Sequence, residues 1–284
     1  MPQKYHEVWK TLIEQHVKAG QLCPSNSAHA SPAFLVPKMD PNNLPHWVND
    51  YWVLNMNMVL DAFPLPWVDD ILADCTQGTV WSKMDMTNSF FQTLMKPEDL
   101  WKTAMTTPFR LYKWIVMPIG LHNSPPIHQQ RVTTALWPLI GKICHMYIDN
   151  VVIWLKTIAD HTQHLQMVLE VLCATSLYLN PKKCQFYQTE LDFLGHHISM
   201  RGIEANNLKA DKIVNWPVPK SATEVCSFLR LVRYISMYLL KLTELMCILT
   251  PLTTKVVKTK YPMWTDVHQQ AFQNINPWLP CENV

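Results

Sequence analysis

The chain has 284 residues, 48% hydrophobic and 16% charged, with a net charge of +2; that is enough apolar material for one large or two ordinary domains and excludes a disordered chain. The near balance of charge neither demands nor rules out a polyanionic partner. Eight cysteines without a C-x-x-C pair argue against a zinc knuckle or a disulfide framework and for a reduced, intracellular setting, and no apolar run reaches the ~20 residues of a membrane span.

Residues 7–20, EVWKTLIEQHVKAG, repeat apolar positions at Val8, Trp9, Leu12, Ile13 and Val17 before Gly20, the spacing of an amphipathic helix with a glycine C-cap. AFLVPK (33–38) reads as a strand, MDPNN as a turn, and HWVNDYWVLN (46–55) as the candidate partner strand. GTVWSKMDMTNSFF (78–91) runs from a turn glycine through a β-prone stretch that puts Asp85 near a strand end. A short helix at KPEDLWKTA, a strand or hairpin in FRLYKWIVMP, the turn PIGLHNSPP and a helix from Ile127 to about Leu136 follow.

KICHMYIDNVVIWLK (142–156) presents two apolar runs separated by Asp149 and Asn150, read as a two-residue hairpin turn with Asp149 at the tip. A helix is expected over 158–175, then strands through CQFYQTELDFLGHHIS with a corner at Gly195. This order predicts an α+β fold with helices on one face of an antiparallel sheet. Beyond NWPVPK, Ser221 and Glu224 form an S-x-x-E capping box, and a second helix is expected from about Leu239 to Leu249. The helical stretch reads as a separate small domain with a boundary near 200–218.

Asp85 and Asp149 each sit at a strand end or hairpin tip, where the fold can bring carboxylates together for hard cations and phosphoryl transfer; on spacing alone, turn and cap aspartates are the better reading. His161 and His164 lie three apart on a helix without a third ligand. Lys255, Lys258 and Lys260 suit a nucleic-acid backbone or a solvated linker equally.

Taken together, SKMDMTNSFFQ, VMPIGLHNSPPIHQQ, YIDNVVIW, CQFYQTELDFLGHHIS, WPVPKSATEVCSFLRLVRYI and MWTDVHQQAF resemble, in order and spacing, the reverse transcriptases of gypsy-class long-terminal-repeat retrotransposons. The resemblance implies a right-hand polymerase: fingers and palm over 1–200, a helical thumb over 201–254, and a truncated connection segment over 255–284 that leads to an absent ribonuclease H domain. It implies RNA-directed DNA synthesis on a template-primer duplex of RNA or DNA from deoxynucleoside triphosphates, with two Mg²⁺ ions, or Mn²⁺ in their place.

By resemblance, Asp85, Asp149 and the Met86 carbonyl are metal ligands, and Phe90 is the steric gate against a 2′-hydroxyl. Lys38 contacts the triphosphate, Asn88 and Ser89 offer backbone amides to phosphates, and Leu194, Gly195 and His196 form the primer grip. Phe90 and Leu194 alone would read as core residues. The departures are Asn150 in place of the second hairpin aspartate, His46 and Trp52 in place of arginines, Pro126 and His128 within the APxxFQ segment, and Arg230 in place of a glycine. Three readings follow: a polymerase impaired by Asn150, an inactive retrotransposon relic that at most binds nucleic acid, and an unrelated α+β protein whose aspartates cap turns.

Overall fold

The computed structural model describes residues 5–38, 44–234, 242–254 and 264–275, which fall into two compact units, Met1–Gln188 and Thr189–Val284. Lys255, Lys258 and Lys260 lie outside the described residues.

In the first unit, helix α1 (His6–Lys18) buries Trp9, Leu12 and Ile13 and ends where Gly20, at φ 69°, lets Gln21 N–H reach back to the His16 carbonyl at 2.9 Å. Next comes a five-stranded mixed sheet in the order β1 (Leu22–Pro24), β6 (Leu111–Trp114), β5 (Met105–Thr106), β2 (Ser31–Val36), β3 (His46–Asn49). Only the first four residues of the expected partner strand 46–55 are extended. Asp50 Oδ1 accepts the Trp52 N–H at 3.1 Å and starts helix α2 (Trp52–Met56) instead.

The second sheet of this unit is four-stranded and antiparallel, in the order β7 (Cys144–Tyr147), β8 (Asn150–Leu155), β4 (Val80–Asp85), β9 (Gln185–Gln188). Alternation assigns its two faces. Met84 pairs with Val151 and Ser82 with Ile153, and Met84, Val151 and Ile153 share a core with Val132 and Leu136 of α4 (Ser124–Leu136) and Leu165, Val168 and Leu172 of α5 (Ile158–Ala174). Each such side chain taken from water contributes roughly 1.5–3 kcal/mol.

Trp81, Lys83 and Asp85 alternate to the opposite face, paired with Trp154, Val152 and Asn150. Helices are therefore not confined to one face, as the sequence suggested. Helix α3 (Val68–Cys75) meets the second face: the Cys75 carbonyl accepts the Trp81 indole N–H at 2.8 Å, and Asp74 Oδ2 lies 2.7 Å from His145 Nε2. The Trp81 contact lies near the end of β4 away from Asp85, whereas His145 lies level with Val152 and Lys83 at mid-strand.

The second unit holds the three-stranded antiparallel sheet β10 (Glu190–Phe193), β11 (His196–Ser199), β12 (Gly202–Ala205), followed by α6 (Asn207–Val214), α7 (Ala222–Tyr234), α8 (Leu242–Leu249) and a helix at Asp266–Ile275. Ile213, Val225, Phe228, Val232, Leu249 and Phe272 are among its core residues. The capping box forms with a shift: Ser221 Oγ accepts the Glu224 N–H at 3.2 Å, while Glu224 Oε2 accepts the N–H of Lys220, one residue earlier than the standard pattern, at 2.7 Å. Among the described residues, no helix is long and apolar enough to cross a membrane.

Candidate active site

Strand β4 ends at Asp85, opposite Asn150, the first residue of β8. Tyr147 pairs with Asn150, so the turn residues of the β7–β8 hairpin are Ile148 and Asp149, not Asp149 and Asn150. Asp149 keeps its place at the tip. The correction has a physical cause: Ile148 takes φ 54°, a conformation a β-branched residue adopts only when its surroundings impose it. The Asp149 carbonyl accepts the Met86 N–H at 2.8 Å, which stitches the tip to the segment after β4. Asp85, Met86, Asp149 and Asn150 thus meet at one end of one sheet.

The polar atoms at this end are incompletely paired. Asp85 Oδ1 is buried and makes no hydrogen bond; Lys183 Nζ, largely exposed, lies 3.3 Å from it. Asp149 Oδ1 accepts from Asn150 Nδ2 at 2.8 Å. The two carboxylates, the Met86 carbonyl and the Asn150 side-chain amide are oxygen donors of the kind hard divalent cations prefer, and a buried carboxylate oxygen without a hydrogen bond is an atom such an ion would satisfy. The residues fit the group. Among the described residues, no cluster of three or more His, Cys, Asp or Glu side chains forms a metal site.

After β4, Asn88 turns the chain through φ 43° into a 3-10 segment, Ser89–Gln92, with Ser89 buried and the Phe90 ring half-buried. Phe90 meets His128 edge to face at 5.7 Å between ring centres. Neither His128 nitrogen reaches a partner with hydrogen-bond geometry. Burial, reinforced by the Arg131 charge and partly offset by the Ile148 backbone, pulls the His128 pKa down to about 4.

The other sequence-derived candidates lie elsewhere. Lys38 and His46 are exposed, Lys38 just beyond β2 and His46 opposite Val36 on β3, on a different sheet from the aspartates. Leu194 and Gly195, at φ 49° and 86°, form the two-residue turn between β10 and β11 in the second unit, with Phe193 and His196 paired across it. Buried His196 stacks on Tyr234 at 4.7 Å, and the Tyr234 hydroxyl donates to the Leu194 carbonyl. His161 is no ligand: it is buried with Nε2 2.7 Å from Ser82 Oγ, and burial, with the His164 charge, lowers its pKa. The seven described cysteines are free thiols.

Sequence reasoning missed two residues at the aspartate end. Lys183 lies almost a hundred residues from Asp85, and nothing local marks it. Gln129 is buried, with Oε1 accepting the Ile148 N–H at 2.8 Å; its one sequence signal is its place as the glutamine of the APxxFQ-like segment.

Known proteins align with this arrangement. Curated relatives include the transposon Tf2-7 and Tf2-3 polyproteins of Schizosaccharomyces pombe, each 30% identical over 94% of this chain, which spans about a fifth (20%) of their length. Similar solved structures include the foamy viral protease-reverse transcriptase dRH in complex with double-stranded DNA, at TM-score 0.87, 24% identity, 98% of this chain and 48% of that one. The foamy viral protease-reverse transcriptase in complex with an RNA/DNA hybrid aligns at TM-score 0.86 and 24% identity, over 98% of this chain and 37% of that one. At that identity the likeness establishes the fold, the right-hand polymerase expected from the sequence. The family model described as reverse transcriptase (RNA-dependent DNA polymerase) matches residues 36–198, more than half of the 284, so the chain belongs to the reverse transcriptase family.

Proposed function

We propose that the chain is the polymerase domain of a retrotransposon polyprotein, extending a primer on an RNA or DNA template by phosphoryl transfer from deoxynucleoside triphosphates. The observation that carries this reading is the meeting of Asp85, Asp149 and Met86 at one end of the β4–β8 ladder. Mg²⁺ ions, or Mn²⁺ in their place, would be held by Asp85, Asp149 and the Met86 carbonyl and would supply activation of the primer hydroxyl and stabilisation of the leaving oxygens.

The chain's own residues do the rest by position and charge. The half-buried Phe90 ring, fixed from behind by His128, would bar a sugar carrying a 2′-hydroxyl. Lys38 and His46 would meet the triphosphate, Lys38 as a point charge and His46 as a weaker donor set than the arginine it replaces. Asn88 and Ser89 would offer main-chain amides to phosphates. Leu194, Gly195 and His196, on their own hairpin, would seat the primer end so that its hydroxyl lies in line for attack. The duplex would be held mainly through its phosphates, so binding should weaken steeply with salt. The polymerases of like fold were solved with double-stranded DNA and with an RNA/DNA hybrid, which supports duplex as the partner here. The inactive relic is not the favoured reading, because the chain matches the reverse transcriptase family over residues 36–198 and keeps Asp85 and Asp149 at one end of one sheet.

Asn150 leaves the site one negative charge short, so a slow enzyme is expected. Primer extension on an RNA template with Mg²⁺ or Mn²⁺ tests the reading. Wild type should extend, Asn150→Asp should extend faster, and Asp149→Asn should not extend. No extension by wild type and Asn150→Asp alike would overturn it.

A further inference from the structure

We propose that Gln129 is the positioning residue of the hairpin turn that carries Asp149, a role that rests on the metal-site reading above. Ile148 holds φ 54°, a left-handed backbone disfavoured for a β-branched side chain, so the turn persists only if something outside it fixes that geometry. Gln129 of α4 supplies that constraint. It is 1% exposed, and its Oε1 accepts the Ile148 N–H at 2.8 Å.

The orientation of the amide follows from chemistry. The Ile148 N–H can only donate and the Met146 thioether can only accept, so the oxygen must face the turn and the NH₂ group must face the sulfur. The NH₂ nitrogen lies 2.7 Å from Met146 Sδ and 3.2 Å from Thr133 Oγ1, one helical turn further along α4. One side chain therefore ties the helix both to β7 and to the turn that follows it. From the other side, the Asp149 carbonyl receives the Met86 N–H at 2.8 Å. The aspartate sits between two tethers, one from α4 and one from the end of β4. A buried amide bonded at both ends selects a single arrangement, whereas an aliphatic group of the same size would fill the space and leave the turn free to change.

The test compares wild type, Gln129→Leu, Ile148→Gly and the double variant in the full chain. Glycine takes the left-handed conformation without steric penalty, so Ile148→Gly removes the need for the tether. Two quantities are read: amide hydrogen exchange at residue 148, and Mn²⁺ binding followed by electron paramagnetic resonance. Gln129→Leu should speed exchange at residue 148 at least tenfold and weaken Mn²⁺ binding at least fivefold. The double variant should bind Mn²⁺ within twofold of Ile148→Gly while its thermal midpoint stays lowered, an outcome that a merely structural role would not give.

Unchanged exchange and binding in Gln129→Leu would overturn the assignment, as would a double variant whose binding falls in step with its stability. Should Gln129→Leu fail to fold, Gln129→Glu retains the acceptor and should keep exchange at residue 148 slow; acceleration there overturns the assignment. Should wild type bind no Mn²⁺, the metal-site reading has failed, and exchange decides alone: tenfold acceleration in Gln129→Leu upholds the tether and none refutes it.

Discussion

Asn150 Nδ2 donates a 2.8 Å hydrogen bond to Asp149 Oδ1, so the amide standing where the family has an acid also occupies the neighbouring carboxylate. Asn150→Asp removes that bond and adds a negative charge beside the site. Mn²⁺ affinity is expected to rise about tenfold, near 1.4 kcal/mol, in a titration at pH 7.5. An unchanged affinity would mean that Asn150 does not limit the site.

Lys183 Nζ, 3.3 Å from Asp85 Oδ1, places a positive charge where a divalent ion would compete for the same oxygen. Its side chain is 63% exposed, so water screens most of the effect. Lys183→Met should tighten Mn²⁺ binding by a factor of roughly two to five, measured by calorimetry at low salt, and the gain should shrink as ionic strength rises. A gain that ignores salt would refute the electrostatic account.

His128 makes the fold sensitive to acid. Its pKa falls from 6.5 in the unfolded chain to about 4 in the folded one, so the unfolded state binds the extra proton between those values. Stability is therefore full above pH 6.5, declines as pH falls through that window, and levels off below 4; the decline this group contributes is roughly 2–3 kcal/mol. His128→Phe should flatten this part of the curve in urea denaturation at pH 8 and pH 4.5. It should also raise stability at pH 7 by about 1–3 kcal/mol, because two unpaired buried nitrogens disappear.

Ser82 holds three elements together. Its hydroxyl lies 2.7 Å from His161 Nε2 on α5 and accepts the Tyr187 N–H of β9 at 3.1 Å. Ser82→Ala strands both partners in an interior where His161 Nδ1 already lacks one. A loss of about 2–3 kcal/mol is expected in urea denaturation at pH 7.5. A loss below about 0.5 kcal/mol would show that other groups take over those bonds.

The sequence made the acids legible because strand-end aspartates follow from alternation and turn chemistry that act locally. It misplaced the turn by one residue, since Asp-Asn is the better local turn former and the preference for Ile148-Asp149 comes from Gln129, nineteen residues away. Helix α2 was hidden for the same reason. WVLNM has strand character, but Asn55 Nδ2 donates to the Gly120 carbonyl and Asn55 Oδ1 accepts the His122 N–H, contacts no local pattern encodes. Helix α3 carries only eight residues and no side-chain N-cap bond, so it left little periodic signal. The first unit ends at Gln188, twelve residues before the expected palm boundary at 200, with the β10–β11 hairpin grouped with the helices.

The Leu194–Gly195 turn gains a further meaning from its anchorage. Tyr234 on α7 both bonds the Leu194 carbonyl and stacks on His196, so one helical side chain holds both sides of the hairpin turn. The turn thus depends on a side chain forty residues further along, and a substitution at Tyr234 would release the Leu194 carbonyl and the His196 ring together.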